Sequence, residues 1–253
     1  DDTLILKEVN AIATQMLADP DIRAVYAPWP LYNRAIGKVM GTFYPVDDIV
    51  VQKNDHELLL AMILNNHIFP EIYIIRSDLA RAAALVTNPI AFWAFVHAAE
   101  FLTFGKIAFR KNPFYVSITK HFEGDSRQQL GHMETQDGWD MYRGGLEYLL
   151  SRISATLSQE KTNQYLLQIQ KFIALRISVA LRLRFANGRN PLESYYLAKR
   201  MKAMGYGHMV PIDDDVRFMC AANLVLNCAT ASDKVDKIVC TGDVPLNFVA
   251  AIT

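Results

Sequence analysis

The segment FIALRISVALRLRF, residues 172–185, places three arginines inside an apolar run, and it is the most informative stretch of this chain. An amphipathic surface helix carries its charges along one solvated stripe. Here Arg176, Arg182 and Arg184 are instead spread among leucine, isoleucine, valine and phenylalanine. A desolvated charge without a partner is costly, so these arginines need either carboxylates of this protein or an external anion. The identity of those partners is the main functional question that the sequence raises.

The basic residues are concentrated around this segment. Residues 161–202 contain nine lysines and arginines but only one acid, Glu193, in a chain whose formal net charge is zero. The rest of the chain therefore has 17 basic and 25 acidic residues. Because the molecule as a whole is neutral, any attraction to nucleic acid or to an anionic membrane must come from a local patch.

The composition predicts a protein with a substantial core. Of its 253 residues, 51% are hydrophobic and 21% are charged, which excludes a disordered or fibrous chain. The longest apolar stretch, residues 89–104, is interrupted by His97 and Glu100 and is shorter than the roughly 20 residues that cross a membrane. It predicts a buried helix and no membrane span.

The cysteines indicate the compartment. There are three of them, with no CxxC pair, which is too few for a disulfide framework: Cys220, Cys228 and Cys240. This usage is typical of a reducing compartment. We therefore expect the cytoplasm or another reducing compartment, with the interior of a virus particle as a further candidate location.

Hydrophobic periodicity predicts an all-α fold, a multi-helix globular bundle with two lobes at 1–122 and 138–253. The polar residues 123–137 form the predicted connecting loop. The expected helices lie at about 3–18, 28–42, 55–68, 71–86, 89–104, 138–157, 160–186, from 190 onward, 213–229, 231–239 and 245–252. The most β structure that we expect is one small hairpin near 105–120, because two β-prone runs flank Asn112-Pro113. A helix that starts at Pro113 is the alternative.

Two consecutive helices gather the candidate binding residues. Lys171, Arg182 and Arg189 fall within about 20° of one another on the first helix if it continues that far. Near the end of the next helix, cations lie close to aromatic rings, a combination that grips single-stranded nucleic acid by stacking and phosphate contact. The predicted nucleic-acid or anion-binding residues are Lys171, Arg182, Arg189, Tyr195, Tyr196, Lys199, Arg200 and Lys202. Arg176 and Arg184 point to other sectors and are expected to pair internally.

Other polar clusters have structural interpretations that compete with functional ones. Asp213–Asp215 could hold magnesium or could cap a helix and provide the internal partners of the arginines. His97 and Glu100, three residues apart, could share a metal, although a satisfied buried histidine is the favoured interpretation. His121 and His132 flank the polar loop together with Glu123, Asp125 and Glu134, a set that suits acid–base chemistry but is also common in exposed loops.

No catalytic motif is recognisable: the chain has no GxSxG, P-loop, GxGxxG after a strand or HExxH sequence. We therefore predict no catalytic residue, no metal and no cofactor, and enzymatic activity is uncertain with the balance against it. Three function classes remain. The first is a structural RNA-binding protein that forms homo-oligomers like a viral nucleocapsid or capsid protein. The second is a magnesium-dependent enzyme on a phosphate or diphosphate substrate, and the third is a protein–protein effector or inhibitor module.

Overall fold

Helices alternate with short strands over the part of the chain that the computed structural model describes, which is residues 2–82, 90–125, 130–187, 191–211 and residue 217. The chain divides into two compact units. Unit 1 contains residues 1–130 and 140–172, and unit 2 contains residues 131–139 and 173–253. The lobe boundary expected at 123–137 stays a prediction.

The strands are short and are distributed through the first half of the chain. They are β1 (Thr3–Leu4), β2 (Ile22–Tyr26), β3 (Trp29–Asn33), β4 (Lys38–Phe43), β5 (Ile49–Val51), β6 (Tyr73–Ile75), β7 (Lys106–Phe109) and β8 (Tyr115–Lys120). The helices are α1 (Leu6–Ala18), α2 (His56–Asn66), α3 (Ser77–Ala82), α4 (Trp93–Phe104), α5 (Leu130–Asp137), α6 (Trp139–Ser151), α7 (Gln159–Ala186) and α8 (Pro191–Ala203). A 3-10 turn at Gly207–Met209 follows α8.

Unit 1 is built on two mixed four-stranded sheets with the strand orders β5-β7-β2-β6 and β1-β8-β3-β4. In the first sheet, β2 is parallel to β7 and antiparallel to β6. In the second, β3 is parallel to β8 and antiparallel to β4. Ile22, Ala24, Val25 and Tyr26 of β2 are all buried, as expected for a central strand that is covered on both faces.

The predicted all-α fold is wrong, because the described residues form two four-stranded sheets as well as helices. Strands β3 and β4 occupy the segment 28–42 that was expected to be helical, and β6 lies within the predicted helix 71–86. Pro30 lies at the second position of β3, opposite Thr42 of β4, and β8 pairs only with the later residues Leu31–Asn33. Gly37, with φ of 64°, supplies the left-handed conformation of the turn between β3 and β4.

The hairpin predicted near 105–120 is also wrong, although both of its strands exist. Strand β7 pairs with β2 and β5, whereas β8 pairs with β1 and β3, so the two strands belong to different sheets. The Asn112-Pro113 break therefore separates two sheets and not two arms of one hairpin. The prediction failed because each strand pairs with strands that are distant in the sequence and not with its sequence neighbour.

Several helices lie where periodicity and capping signals predicted them. The predicted helix 55–68 corresponds to α2, and its N-cap is Asp55, whose side chain accepts a hydrogen bond from the N–H of Leu58 at 3.1 Å. Helix α7 spans nearly the predicted range, and Pro191 is the first residue of α8. The helices predicted at 213–229, 231–239 and 245–252 lie outside the described residues.

An aromatic cluster forms much of the core of unit 1. Phe69, which is 2% exposed, has ring contacts at centroid distances of 5.1 Å with Tyr142, 5.5 Å with Phe95 and 5.5 Å with Phe172. These rings join the end of α2 to α4, α6 and α7, so the helices of unit 1 are positioned by one shared set of side chains.

Candidate anion-binding surface

Arg184 occupies a buried, fully paired position in unit 2. Its side chain is 6% exposed, and its guanidinium forms ion pairs with Asp137 at the end of α5 and with Glu193 in the first turn of α8. The Nε–H donates to the hydroxyl of Ser194 at 3.2 Å. The prediction that Arg184 pairs internally is confirmed. Its partners differ from the expected Asp213–Asp215, which lie outside the described residues.

Glu193 has a role in addition to the one that its position suggested. In the sequence it matched the acid of a capping box at the start of α8. In the fold its carboxylate pairs with Arg184 nine residues earlier in the chain. The other arginine expected to face inward, Arg176, is half-buried, and its pairing with acids stays a prediction.

The predicted binding residues are mostly exposed. Arg189 lies outside the described residues, and Lys171 belongs to unit 1, whereas the other six belong to unit 2. Tyr195 is half-buried, and the exposed members are Lys171, Arg182, Tyr196, Lys199, Arg200 and Lys202. A candidate surface within one unit can therefore include only the residues of unit 2.

The last two turns of α8 bring cations and aromatic rings together, as the sequence predicted. The ammonium of Lys199 lies 5.1 Å from the ring centroid of Tyr195, within the range of a cation–π contact. The rings of Tyr195 and Tyr196 meet edge to face at 5.9 Å. The guanidinium of Arg200 lies 4.6 Å from the ring centroid of Trp139. We call Tyr195, Tyr196, Lys199, Arg200 and Lys202 the α8 surface.

The sequence around this surface lacks opposing charge. Residues 194–211 contain Lys199, Arg200 and Lys202 but no aspartate or glutamate. The nearest acid in the sequence, Glu193, is paired with the buried Arg184. The carbonyl end of α8 offsets part of this positive charge, because it carries the negative pole of the helix dipole. The sequence segment that carries the α8 surface is therefore basic, in a chain whose formal net charge is zero.

The proposed metal pair on α4 has separate structural partners. His97 is buried, and the hydroxyl of Tyr73 hydrogen-bonds its Nδ1 at 3.2 Å. Burial lowers the pKa of His97 below its ordinary value. Glu100 accepts a hydrogen bond from Tyr148 and lies 3.7 Å from the guanidinium of Arg152. No group of three or more potential metal ligands occurs among the described residues.

The polar cluster around the connecting loop contributes to local structure. Asp125, which is buried, accepts a hydrogen bond from the N–H of His121 at 3.0 Å and so closes a turn. Burial raises the pKa of Glu134, which lies in α5 of unit 2. Residues 121–125 belong to unit 1, so the predicted acid–base set is divided between the units.

A cleft in unit 1 is the main feature that the sequence did not reveal as a site. It has a volume of about 670 Å³ and is lined by Pro28, Thr42, Tyr44, Pro45, Val46, Asp47, Asp48, Ile49, Met62, Asn66 and Lys111. In the sequence, Asp47 and Asp48 indicated only a polar connecting segment. The Tyr44-Pro45 step just before them was the available signal that the backbone is conformationally restricted at this point.

The fold defines a mixed α/β protein whose second unit presents a basic helix. No family model, curated protein or solved structure matches the chain. RNA binding and a nucleocapsid, capsid or viral identity therefore gain no support from relatives, and the all-α form in which they were predicted is wrong. Among the described residues, no helix is both long and apolar enough to cross a membrane.

Proposed function

We propose that unit 2 binds phosphate groups of an anionic ligand through the α8 surface. The observation that carries the proposal is the segregation of charge in this unit. Buried Arg184 takes the carboxylates of Asp137 and Glu193, whereas Lys199, Arg200 and Lys202 lie exposed in a segment without acids.

The aromatic rings beside the cations add a surface on which a flat group of the ligand can stack. Lys199 lies over the ring of Tyr195, and Tyr196 is 63% exposed. An exposed ring beside ammonium groups lets a base or another flat group stack while its phosphate meets the cations. A nucleotide or a single-stranded nucleic acid has this combination of groups.

The test is binding of a fluorescein-labelled single-stranded RNA, followed by anisotropy between about 50 and 200 mM salt. We expect the logarithm of the association constant to fall linearly with the logarithm of salt concentration, with a slope of about −0.7 for each phosphate contacted. Lys199→Ala/Lys202→Ala should weaken binding and reduce the slope by about 1.4, because two contacts are lost. Lys7→Ala/Lys53→Ala, which removes two exposed lysines of unit 1, is the matched control.

Unlabelled inorganic phosphate and a mononucleotide, added as competitors, distinguish phosphate recognition from recognition of a polymer. Binding that does not depend on salt, or equal losses of affinity in the two double variants, would refute the proposal.

The partners predicted from the sequence, RNA and a second copy of the chain, remain predictions. Size-exclusion chromatography with light scattering tests whether the chain binds a second copy of itself. The magnesium-enzyme alternative depends on Asp213–Asp215, outside the described residues.

A further inference from the structure

The cleft in unit 1 has the dimensions of a small-molecule site and is independent of the α8 surface. Its volume of about 670 Å³ lies within the range of pockets that enclose drug-sized ligands. Its walls are mixed: Pro28, Val46 and Met62 are apolar, whereas Thr42 and Asn66 bring a hydroxyl and an amide. A few polar groups in a largely apolar concavity are typical of a binding site.

One wall of the cleft is held in an unusual backbone conformation. Tyr44 has a φ of 37°, in the left-handed region that bulky residues rarely adopt. Its surroundings hold it there, because its hydroxyl donates to the carbonyl of Ala27 at 2.9 Å and its ring packs edge to face on Trp29 at 5.4 Å. Such strained residues concentrate at ligand sites, where the fold fixes the chain that meets the ligand.

The charges at the cleft balance one another. Asp47 lies 3.5 Å from the ammonium of Lys111, and Asp48 lies 3.6 Å from the guanidinium of Arg110. The carboxylate of Asp48 also accepts a hydrogen bond from the backbone N–H of Lys111 at 2.7 Å. Two acids are thus matched by two bases, so the rim offers no excess charge to an ionic ligand.

These groups retain hydrogen-bonding capacity. Each carboxylate has about four lone-pair sites and an ammonium has three N–H donors, so the ion pairs leave acceptors and donors available. The amide nitrogen of Asn66 donates to the carbonyl of Met62 at 3.2 Å, and its amide oxygen can accept from a ligand. Acceptors and donors side by side suit hydroxyl groups, which both donate and accept.

We propose that this cleft binds an uncharged, hydroxyl-rich small molecule, a sugar or a polyol. Asp47 and Asp48 accept hydrogen bonds from its hydroxyl groups, Lys111 donates to them, and Pro45, Val46 and Met62 contact its C–H surface. Ionised groups on the ligand are disfavoured, because each would lose hydration without meeting an unpaired charge.

The test uses backbone amide NMR shifts of the full chain during titration with glucose, sorbitol, glucose 6-phosphate and glucosamine. We expect saturable shifts at residues 42–44, 46–49, 66 and 111 with glucose or sorbitol, and at least tenfold weaker binding of the two charged compounds. A ring-specific site responds to glucose alone, and a site for open-chain polyols responds to sorbitol alone; either result supports the proposal.

Two variants separate binding from folding. Thr42→Trp places a large side chain at an exposed position of the cleft wall and should abolish saturation, whereas Ile36→Trp, on an exposed residue of the same hairpin outside the lining, should not. Circular dichroism confirms that both fold. Shifts without saturation, shifts centred elsewhere, tighter binding of a charged compound, or unchanged binding by Thr42→Trp would each overturn the proposal.

Discussion

Removing the two acids around Arg184 should destabilise the protein more than removing Arg184 itself. The reason is an asymmetry in burial: the side chain of Arg184 is 6% exposed, whereas those of Asp137 and Glu193 are 57% and 64% exposed. In Asp137→Ala/Glu193→Ala the guanidinium stays in the interior with only the Ser194 hydroxyl and the Gln136 carbonyl as described partners. In Arg184→Met the two carboxylates remain where water reaches them.

The expected losses of unfolding free energy follow from this difference in burial between Arg184 and its two acids. Leaving a buried charge without its partner costs about 3–5 kcal/mol, which is the loss expected for the double acid variant. Replacing a buried charge by an apolar side chain of similar length removes the desolvation cost together with the attraction. Arg184→Met should therefore cost only about 1–2 kcal/mol, mainly because the buried Ser194 hydroxyl loses the hydrogen bond that Nε of Arg184 donates to it.

Urea unfolding monitored by circular dichroism measures both losses, with the slope of the transition compared between variants to confirm that the same surface unfolds. The control is Glu160→Ala, which removes an exposed acid from the first turn of α7 and repeats the loss of a favourable dipole interaction without exposing a buried charge. If Arg184→Met proves as destabilising as the double acid variant, or more so, an unpaired buried guanidinium does not control the stability of unit 2 and the reasoning fails.

Two further predictions concern unit 1. Gly144→Ala should destabilise the protein by about 1–3 kcal/mol although alanine favours helices, because the added Cβ would lie 2.1 Å from the carbonyl oxygen of Ile90. Thermal unfolding measures this loss. The control is Gly41→Ala, whose added Cβ would have no atom within 4 Å and should leave the melting temperature nearly unchanged. Burial lowers the pKa of His97 from its ordinary 6.5, so below that pH the unfolded chain gains a proton that the folded protein does not. Stability should therefore fall on acidification below that pH, and in His97→Gln the melting temperature should depend less on pH just below 6.5. An unchanged pH dependence in this variant would show that His97 is not the cause.

Local signals predicted the helices well because each depends on nearby residues. Asp55 caps α2 through an N–H only three residues away, and Pro191 begins α8 with no contribution from distant parts of the chain. The amphipathic spacing of α1 likewise requires only a neighbouring apolar surface. These elements could be predicted from the sequence since their determinants lie within one or two helical turns.

The strands were missed because their stabilising partners are far away in the sequence. Strand β2 pairs with β7 about eighty residues later and with β6 about fifty residues later, and its five residues show no alternation because both faces are buried. Strand β4 was predicted as part of a helix because its exposed residues, among them Val39 and Met40, lack the pattern of a half-buried strand. Short strands of this kind can be recognised only when their pairing partners are known.

The three arginines of the apolar run show how far sequence reasoning about a site can extend. Angular position correctly separated Arg184, which faces inward, from Arg182, which is exposed. It could not identify Asp137 as the partner of Arg184, because that acid lies 47 residues away. The capping-box pattern of residues 190–193 likewise gave no sign that the carboxylate of Glu193 pairs with the guanidinium of Arg184.

The same pairing connects the interior of unit 2 to its proposed function. Glu193 is the only acid among residues 161–202, and the cations of α8 begin six residues after it. If Glu193 were released from Arg184, its carboxylate would no longer be neutralised and would lower the positive potential around the α8 cations, which lie on the same helix. If the α8 surface binds phosphate as proposed, buried Arg184 does more than stabilise the unit, because it neutralises the only acid in the sequence 161–202. Arg184→Met should on this argument weaken phosphate binding at the α8 surface while the protein remains folded, whereas Arg184→Met/Glu193→Gln should restore it.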